Sequence, residues 1–305
     1  MSVNLKFVRC PLCNHNNTTL IYPATSKSKQ VKHKGSYLCT SPGLSNHGDI
    51  VQCNNCKMVY NNPQPDADQL IKLYKEVVDP AYISQSKGRE LTFKHTIGQL
   101  QEYIKPPGNL LDVGCYTGIF MESAISSGWR VYGVELSSWA ASIAQKLGKG
   151  TVFRSTLDQI PLHSSSMDVV TMWDVIEHLS KPKQILENIA SLLRPGGILA
   201  LSTYMIDSFA VKVLGRRYPF FMDMHVVHFS RDTLSRMLCM LGFEILSIRK
   251  HKRTIMMDYL LDRTWNLLPV LKPMLKPLAG CQLIKKPITL SFMGLVNVYA
   301  RKKKS

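Results

Sequence analysis

Apolar runs alternate with amphipathic stretches through the middle of the chain, and this alternation limits the possible folds more than any other feature. The predicted strands cover residues 109–113, 130–135, 151–153, 167–172 and 198–202, and the predicted helices between them cover residues 119–127, 138–147 and 183–193. Strands that alternate with helices along a chain form a parallel sheet covered by helices. We therefore predict an α/β fold with a doubly wound, mostly parallel sheet.

Two C-x₂-C pairs near the start of the chain predict a metal site. The pairs are Cys10 with Cys13, and Cys53 with Cys56. Four thiolates with this spacing can close a tetrahedral zinc site without an open coordination position, so such a zinc would be structural. Cys39 and His47 lie between the pairs and are alternative ligands, while a redox role of the C-x-x-C pairs is the minor alternative.

The net charge of +17 is concentrated in the two flanks of the chain. Residues 1–62 carry seven Lys and Arg against one acid, residues 249–305 carry thirteen against two, and residues 63–248 carry eighteen of each sign. The basic C-terminal flank is interleaved with Leu, Met and Pro and not with stacking aromatic residues. This pattern favours peripheral contact with an anionic membrane over nucleic-acid binding, with a solvated basic tail as the third alternative.

The compartment and the segments of the chain follow from the same features. No apolar run approaches the ~18 residues of a membrane span, and the N-terminus lacks the apolar core of a secretory signal, so we expect a cytoplasmic protein. The predicted segments are a zinc ribbon (1–62), a helical connector (63–107), the alternating domain (108–250) and a basic, apolar C-terminal extension with a final strand (251–305).

A glycine turn follows the first predicted strand of the alternating domain and predicts a cofactor site. Ligands of open α/β sheets bind at the carboxyl ends of the strands, where free N–H groups at a helix start favour an anion. Gly114 and Gly118 stand as G-x-x-x-G, which does not match the G-x-G-x-x-G of dinucleotide sites. S-adenosylmethionine is the alternative cofactor, with Glu135 at the end of the second strand as the acceptor for its ribose hydroxyls.

The chain resembles the class I, Rossmann-like S-adenosylmethionine-dependent methyltransferases at four places. These are "LDVGCYTG", "VYGVELS", "MDVVTMWDVIEHL" and "LLRPGGILALST", in the family's order, and the resemblance covers residues 108–250. It implies a cofactor site formed by Asp112, Gly114, Cys115, Gly118, Glu135, Leu136, Thr156, Leu157 and Trp173. Core packing is the alternative role of Trp173.

Tyr116 stands where that family usually has glycine. If the position requires φ > 0, a tyrosine there costs about 1 kcal/mol or more. The tyrosine therefore puts the geometry of the loop in question, and not the presence of the site.

Acidic and histidine side chains follow the fourth predicted strand, where the methyl group should emerge. Asp174, Glu177 and His178 resemble a set in quinone-biosynthesis O-methyltransferases, which implies a role in acceptor or divalent-metal binding; Asp174 is one methylene shorter than the usual glutamate. His225, in the predicted acceptor lid together with His228, completes the catalytic candidates. The alternative role of Glu177 and His178 is to stabilise the helix start and the sheet edge.

The sequence thus predicts methyl transfer from S-adenosylmethionine to a small-molecule, sugar or lipid-linked acceptor, on oxygen. A methyltransferase of nucleic acid or protein is the nearer alternative. A non-enzymatic zinc-ribbon binding module is the more distant one.

Overall fold

A computed structural model describes residues 4–25, 37–40, 45–146, 148, 150–257 and 286–304 of the chain. The strands of these ranges are β1 (Leu5–Lys6), β2 (Thr18–Tyr22), β3 (Ile50–Cys53), β4 (Val59–Asn61), β5 (Gln64–Pro65), β6 (Asn109–Val113), β7 (Arg130–Val134), β8 (Thr151–Phe153), β9 (Met167–Trp173), β10 (Leu193–Tyr204), β11 (Val227–His228), β12 (Phe243–Met256) and β13 (Pro287–Lys302). The helices are α1 (Ala67–Lys75), α2 (Pro80–Ile83), α3 (Ser86–Leu100), α4 (Ile119–Ser126), α5 (Ser138–Lys146), α6 (Pro182–Leu192), α7 (Phe209–Leu214) and α8 (Arg231–Met240).

A seven-stranded sheet forms the centre of the molecule, in the order β8-β7-β6-β9-β10-β13-β12. The pairs from β8 to β10 are parallel, whereas β13 runs antiparallel to both β10 and β12. This confirms the predicted doubly wound, mostly parallel sheet. Residues 194–197 form an irregularity inside β10, between Leu193 and Ile198.

Helices cover both faces of this sheet. Neighbouring residues of a strand point to opposite sides, so a continuous apolar strand places apolar side chains on both faces, and both have to be covered. Leu110 and Val169 pack in one cluster with residues of α3, α4 and α5. Leu111 and Val170 pack in the other cluster with residues of α6 and α8. All four side chains are fully buried, so the apolar runs in the sequence are strands covered on both faces.

The final strand of the chain lies inside the central sheet. β13 pairs with β10 on one side and with β12 on the other, so the end of the predicted C-terminal extension is part of the central domain. Strand β12 also continues to Met256, past the predicted domain boundary at residue 250. Residues 258–285, most of the predicted extension, lie outside the described residues, as does Leu147 at the end of a predicted helix.

The N-terminal segment packs directly on the central domain. Its strands β2, β3 and β4 form a sheet to which the central domain adds β11 as the fourth strand. Cys10, Cys53 and Cys56 share one apolar cluster with Val227 and Met237 of the central domain. In the described ranges, no helix has both the length and the apolarity that a membrane span requires.

Candidate functional site

Four neighbouring parallel strands end at the same edge of the sheet and bring the predicted cofactor residues together. Asp112 lies at the end of β6, and Glu135 directly follows β7. Thr156 follows β8 after a short loop, and Trp173 ends β9. This edge is where open α/β sheets bind ligands.

Glu135 is a buried acid at this edge, held by two backbone amides. Its Oε2 accepts a hydrogen bond from the Tyr116 amide at 2.9 Å, and its Oε1 accepts one from the Ser137 amide at 2.7 Å. Burial raises the pKa of Glu135, and these amide bonds oppose the rise. A carboxylate has about four acceptor positions, so capacity remains for hydroxyls of a ligand.

The glycine turn after β6 adopts left-handed backbone at three positions. Gly114 has φ 73°, Tyr116 has φ 48° and Gly118 has φ 82°. A Cβ at Gly114 would lie 2.6 Å from a methyl group of Val175, so this position also requires glycine for packing. The conformation that would strain a tyrosine at position 116 is therefore present.

The Tyr116 ring forms a wall of the site. It packs edge-on against Tyr82 of α2, with ring centroids 4.4 Å apart, and against Trp139 of α5 at 5.9 Å. Burial raises the pKa of Tyr116, and the nearby Cys39, from the segment between the two cysteine pairs, adds to this rise. Glu135 and Tyr116 in turn affect the pKa of Cys39. The N-terminal segment thus reaches the cofactor edge, which its sequence did not indicate.

Three buried polar atoms at this edge have no hydrogen-bond partner within the described part of the chain. They are Oγ1 of Thr156, Nε1 of Trp173 and the hydroxyl oxygen of Tyr116. The Trp173 ring also packs on Phe120 at 5.1 Å, so it has the core contact that was its alternative role. Unsatisfied buried donors and acceptors are costly, which fits a polar ligand between these strand ends.

The other predicted cofactor residues differ in their placement. The Cys115 side chain is buried in the core beneath Gly133, where a Cβ would lie 2.7 Å from its sulfur. Leu157 is buried and Leu136 is partly exposed. Asp112 is buried and accepts a 2.7 Å hydrogen bond from Thr171, and burial raises its pKa to about 7.

Asp174 follows β9 with φ 54°, in the left-handed region that disfavours non-glycine residues. Its Oδ1 accepts a 2.6 Å hydrogen bond from the Ser202 hydroxyl, and Oδ2 lies 3.9 Å from Nη2 of Arg253. Burial acts to raise the pKa of Asp174, but Arg253, His251, the Ser202 hydroxyl and Arg89 together lower it below its usual value. Asp174 is therefore an ionised group held at a fixed orientation.

Glu177, His178 and His225 converge beside Asp174, and their ligand atoms lie within 4.8 Å of one another. The rings of the two histidines are 4.6 Å apart. Nδ1 of His178 lies 3.0 Å from the Met224 carbonyl oxygen, and Nδ1 of His225 lies 2.6 Å from the carbonyl oxygen of Phe220. A carbonyl only accepts, which favours the proton on Nδ1 of each ring and the lone pair on Nε2. Nδ1 of His178 also lies 2.8 Å from the Tyr74 hydroxyl, whose oxygen can accept from the same N–H.

The surroundings of this cluster set its protonation. Burial lowers the pKa of His178 to about 4 and also lowers that of His225, so both rings are neutral near pH 7. Burial and the nearby Asp174 raise the pKa of Glu177 to about 8. Its Oε2 has no partner among the described residues. Near pH 7 the two imidazole nitrogens can accept a proton, whereas Glu177 already carries one. A divalent metal ion would bind the two imidazoles and the deprotonated carboxylate of Glu177.

His228 lies outside this cluster and has a structural environment. Its Nδ1 contacts the Tyr204 hydroxyl, and its Nε2 lies 2.8 Å from Oδ1 of Asn61. The sequence could not distinguish His225 from His228, because 46 residues separate His178 from His225 and local pattern does not show which histidine returns to the site.

The four cysteines of the two C-x₂-C pairs also meet, with sulfur atoms within 4.8 Å of one another. Cys10 Sγ lies 3.4 Å from Cys56 Sγ, and Cys13 Sγ lies 3.5 Å from Cys53 Sγ. Tetrahedral zinc with Zn–S bonds of about 2.3 Å requires sulfur atoms about 3.8 Å apart, which is close to this spacing. His47 instead contacts the carbonyls of Gly48 and Arg216.

Comparison with known proteins identifies the family of the central domain. Residues 86–248, more than half of the chain, match the family model described as "Methyltransferase domain". The match begins at α3, upstream of the predicted boundary at residue 108, which agrees with the packing of α3 on the central sheet.

Curated relatives share the sequence of this domain in part. The chain is 27% identical over 143 residues to a "Ubiquinone biosynthesis O-methyltransferase" of Actinobacillus pleuropneumoniae, an alignment that covers 41% of this chain and 61% of that protein. It is 34% identical over 124 residues to the protein of the same name from Xanthomonas axonopodis, covering 38% and 52%. The chain thus spans about half the length of the curated relatives that it matches.

Solved structures share the fold. A chain in the complex between the Haloferax volcanii Trm112 methyltransferase activator and a protein described as a methyltransferase is 16% identical, with a TM-score of 0.51, covering 72% of this chain and 94% of that one. The [4+2]-cyclase SpnF is 18% identical with a TM-score of 0.50, covering 70% and 81%. Because the second of these is called a cyclase, the fold alone leaves the reaction open.

Proposed function

Because the chain belongs to the methyltransferase domain family, we propose that it is an S-adenosylmethionine-dependent O-methyltransferase acting on a small-molecule acceptor. The observation that carries this proposal is Glu135, whose buried carboxylate is fixed by backbone amides beside the glycine turn and has acceptor capacity left. Those positions suit the two ribose hydroxyls of the cofactor. Thr156 and Trp173, with their unpartnered polar atoms, flank the same edge.

S-adenosylmethionine supplies an electrophilic methyl group when it is bound, so the protein mainly has to align the acceptor and receive a proton. Alignment of the two reactants alone can lower the activation barrier of methyl transfer by several kcal/mol, because it makes the reaction effectively intramolecular. Nε2 of His178, with its free lone pair, is the atom that we assign to the proton of the acceptor hydroxyl. Asp174, fixed by Ser202 beside this cluster, is the group that we assign to orienting the acceptor.

The acceptor class rests on the names of the relatives and on this histidine. Relatives named for ubiquinone biosynthesis are O-methyltransferases by name, and a hydroxyl acceptor benefits from a base. The proposed class of acceptors also includes sugar and lipid-linked hydroxyls, which the sequence analysis predicted.

The test of this proposal is transfer of a labelled methyl group from S-adenosylmethionine to phenolic, sugar and lipid-linked alcohols. With an accepted substrate, His178→Ala should lower kcat by about 10²-fold or more while leaving affinity for S-adenosylhomocysteine within a few-fold. The exposed His163→Ala variant is the matched control. An equal loss of turnover and cofactor affinity would contradict the assignment of His178.

A divalent metal ion is the second candidate for the acceptor side. Glu177, His178 and His225 offer a carboxylate and two neutral imidazoles, a donor set that divalent ions accept. Turnover that is lost in a chelator and returns with added Mg²⁺, Mn²⁺ or Zn²⁺ would favour this candidate. The experiment requires that the ribbon zinc stays bound, which metal analysis of the chelated protein checks.

We further infer that the four N-terminal cysteines bind one structural zinc. The sulfur spacing supports it, as do the tight turns after each pair, in which Asn14 donates to the Cys10 carbonyl at 2.9 Å and Lys57 to that of Cys53 at 2.9 Å. Both turns have positive φ, at Asn14 and at Lys57. Metal analysis of reduced protein should give about one zinc per chain; its absence would refute the inference.

Peripheral membrane contact by a cytoplasmic protein stays our proposal for the basic C-terminal extension. Deleting residues 256–305 would remove β13 from the central sheet, so substitution is the better test. Lys272→Gln combined with Lys276→Gln should weaken co-sedimentation with anionic liposomes. A gel shift with nucleic acid that the same variant weakens would instead favour the nucleic-acid alternative.

A further inference from the structure

Two arginines lie at the acceptor end of the site, and the proposed mechanism assigns them no role. Arg253 of β12 places Nη2 3.9 Å from Oδ2 of Asp174. Arg89 of α3 places its guanidinium carbon 3.8 Å above the ring of Tyr82. Tyr82 in turn packs on Tyr116 of the cofactor turn. The two cations therefore flank the boundary between the cofactor edge and Asp174.

One helix–strand contact positions both arginines. Helix α3 lies along β12, the edge strand of the sheet, and the Thr254 amide donates a 2.9 Å hydrogen bond to Oγ1 of Thr92. Gly88 lets the helix approach this closely, because a Cβ there would lie 2.9 Å from the Thr254 carbonyl oxygen. Arg89 follows Gly88 and Arg253 precedes Thr254, so both guanidinium groups are carried by the same close contact.

Both arginines act on the same two side chains. Burial raises the pKa of Tyr82 to about 12, and Arg89 and Arg253 both oppose this rise. At Asp174, burial acts to raise the pKa, while Arg253 and, more weakly, Arg89 lower it. These effects agree with the contacts of Arg253 with Asp174 and of Arg89 with Tyr82, so both guanidinium groups lie near the same pair of side chains.

Most of the hydrogen-bonding capacity of these arginines is unused within the described ranges. Each guanidinium carries five N–H donors. The contact of Arg253 with Asp174 is longer than a hydrogen bond. Arg89 donates only to Oε1 of Gln85, at 3.4 Å, and its buried Nε has no partner among the described residues. Carboxylates and phosphates are the groups that match the planar fork of an arginine.

We propose that Arg89 and Arg253 bind an anionic group of the methyl acceptor, a carboxylate or a phosphate, and so select acceptors that carry negative charge near the methylated hydroxyl. This inference rests on the proposed function, since it takes Asp174 and His178 as the acceptor side. It names a charge requirement that neither the sequence nor the names of the relatives contain.

The test measures binding of model anions to the full chain saturated with S-adenosylhomocysteine. Benzoate and phenyl phosphate are titrated beside the neutral benzyl alcohol, which separates a carboxylate from a phosphate preference. We expect at least one anion to bind ten-fold or more tighter than the alcohol. Arg253→Gln and Arg89→Gln should each weaken that anion at least ten-fold, and Arg253→Lys should restore part of the loss. Arg130→Gln, an exposed arginine at the opposite edge of the sheet, is the matched control.

Three results would overturn the proposal. The first is equal affinity, or no measurable binding, for the anions and the alcohol. The second is anion binding that survives both glutamine variants in folded protein, as judged by thermal melting. The third is an Arg89→Gln variant that loses cofactor affinity but keeps the anion, which would assign Arg89 to the carboxylate of the cofactor. Failure of S-adenosylhomocysteine to bind the wild-type chain would instead count against the proposed function, and titrations of the cofactor-free chain keep the two questions apart.

Discussion

Substituting Gly88 by alanine should push helix α3 away from the edge strand β12. The new Cβ would lie 2.9 Å from the Thr254 carbonyl oxygen and 3.6 Å from both the Ile255 Cα and the Met256 nitrogen. All three atoms belong to the backbone of a paired strand, so none can rotate out of the way. The helix or the strand must shift, and the Thr92–Thr254 hydrogen bonds would lengthen with it.

The size of the effect follows from two opposing terms. Alanine favours a helix over glycine by about 1 kcal/mol, whereas overpacking a close contact costs about 1–3 kcal/mol. With the strained hydrogen bonds added, we expect Gly88→Ala to lower the free energy of unfolding by about 1–2 kcal/mol. Gly98, on the same helix, has open space where its Cβ would be, so Gly98→Ala should raise that free energy by about 0.5–1 kcal/mol.

Guanidinium denaturation of the two zinc-loaded variants and the wild type measures these changes. The opposite signs of the same substitution on one helix isolate the contact from helix propensity. Gly88→Ala should also weaken binding of the model anions, since Arg89 moves with the helix. A Gly88→Ala protein as stable as the Gly98→Ala protein would refute the close contact and the positioning that depends on it.

Three further predictions concern the turn, the zinc and a buried acid. Tyr116→Ala keeps the left-handed strain and Tyr116→Gly releases it, so the glycine variant should be more stable than the alanine variant by about 1 kcal/mol in denaturation experiments. Both variants should lose affinity for S-adenosylhomocysteine about three- to ten-fold, because Tyr82 loses its packing partner. Equal stability of the two variants would show that position 116 is unstrained. Cys53→Ser should lower the melting temperature by about 10 °C or more through loss of zinc. It should also weaken cofactor binding, because Cys39 of the same segment reaches the site. The exposed Cys239→Ser control should change neither quantity, and a Cys53→Ser protein with an unchanged melting temperature would argue against the zinc. Burial raises the pKa of Asp112 to about 7 in the folded protein, compared with about 3.9 in the unfolded chain. Between these pH values the folded state binds more protons than the unfolded state. The free energy of unfolding therefore falls as the pH rises from about 4 to 7, by at most about 4 kcal/mol. Asp112→Asn should therefore gain stability relative to wild type between pH 5 and pH 8 in denaturation experiments, and an unchanged difference would contradict the burial of this acid.

The fold was predictable where local pattern determines it. Strands Asn109–Val113 and Thr151–Phe153 have the predicted bounds, because each follows a glycine that marks a turn in the sequence. The placement of β13 between β10 and β12 was not predictable, since it depends on pairing across the chain. Helix α3 also escaped prediction as a separate element, because threonines and not an apolar stripe face its partner strand.

The site followed the same division. Glu135 and Asp112 were predictable because their places at strand ends determine where they lie in any such sheet. Cys39, Arg89 and Arg253 gave no signal, because each reaches the site through a contact between elements far apart in sequence. The sequence predicted that Tyr116 is strained if its position requires a positive φ, and Tyr116 does have a positive φ.

Calorimetric titration with S-adenosylhomocysteine tests the central claim, that the carboxyl edge of the sheet binds the cofactor through Glu135. In Glu135→Gln, an NH₂ group must face either the Tyr116 or the Ser137 amide, and one acceptor for the ribose is lost, which together cost about 2–4 kcal/mol. We predict one site per wild-type chain, affinity about 30-fold or more weaker in Glu135→Gln, and unchanged affinity in the exposed Glu187→Gln control. No binding to the wild-type chain, or equal affinity of the Glu135→Gln variant, would contradict the account.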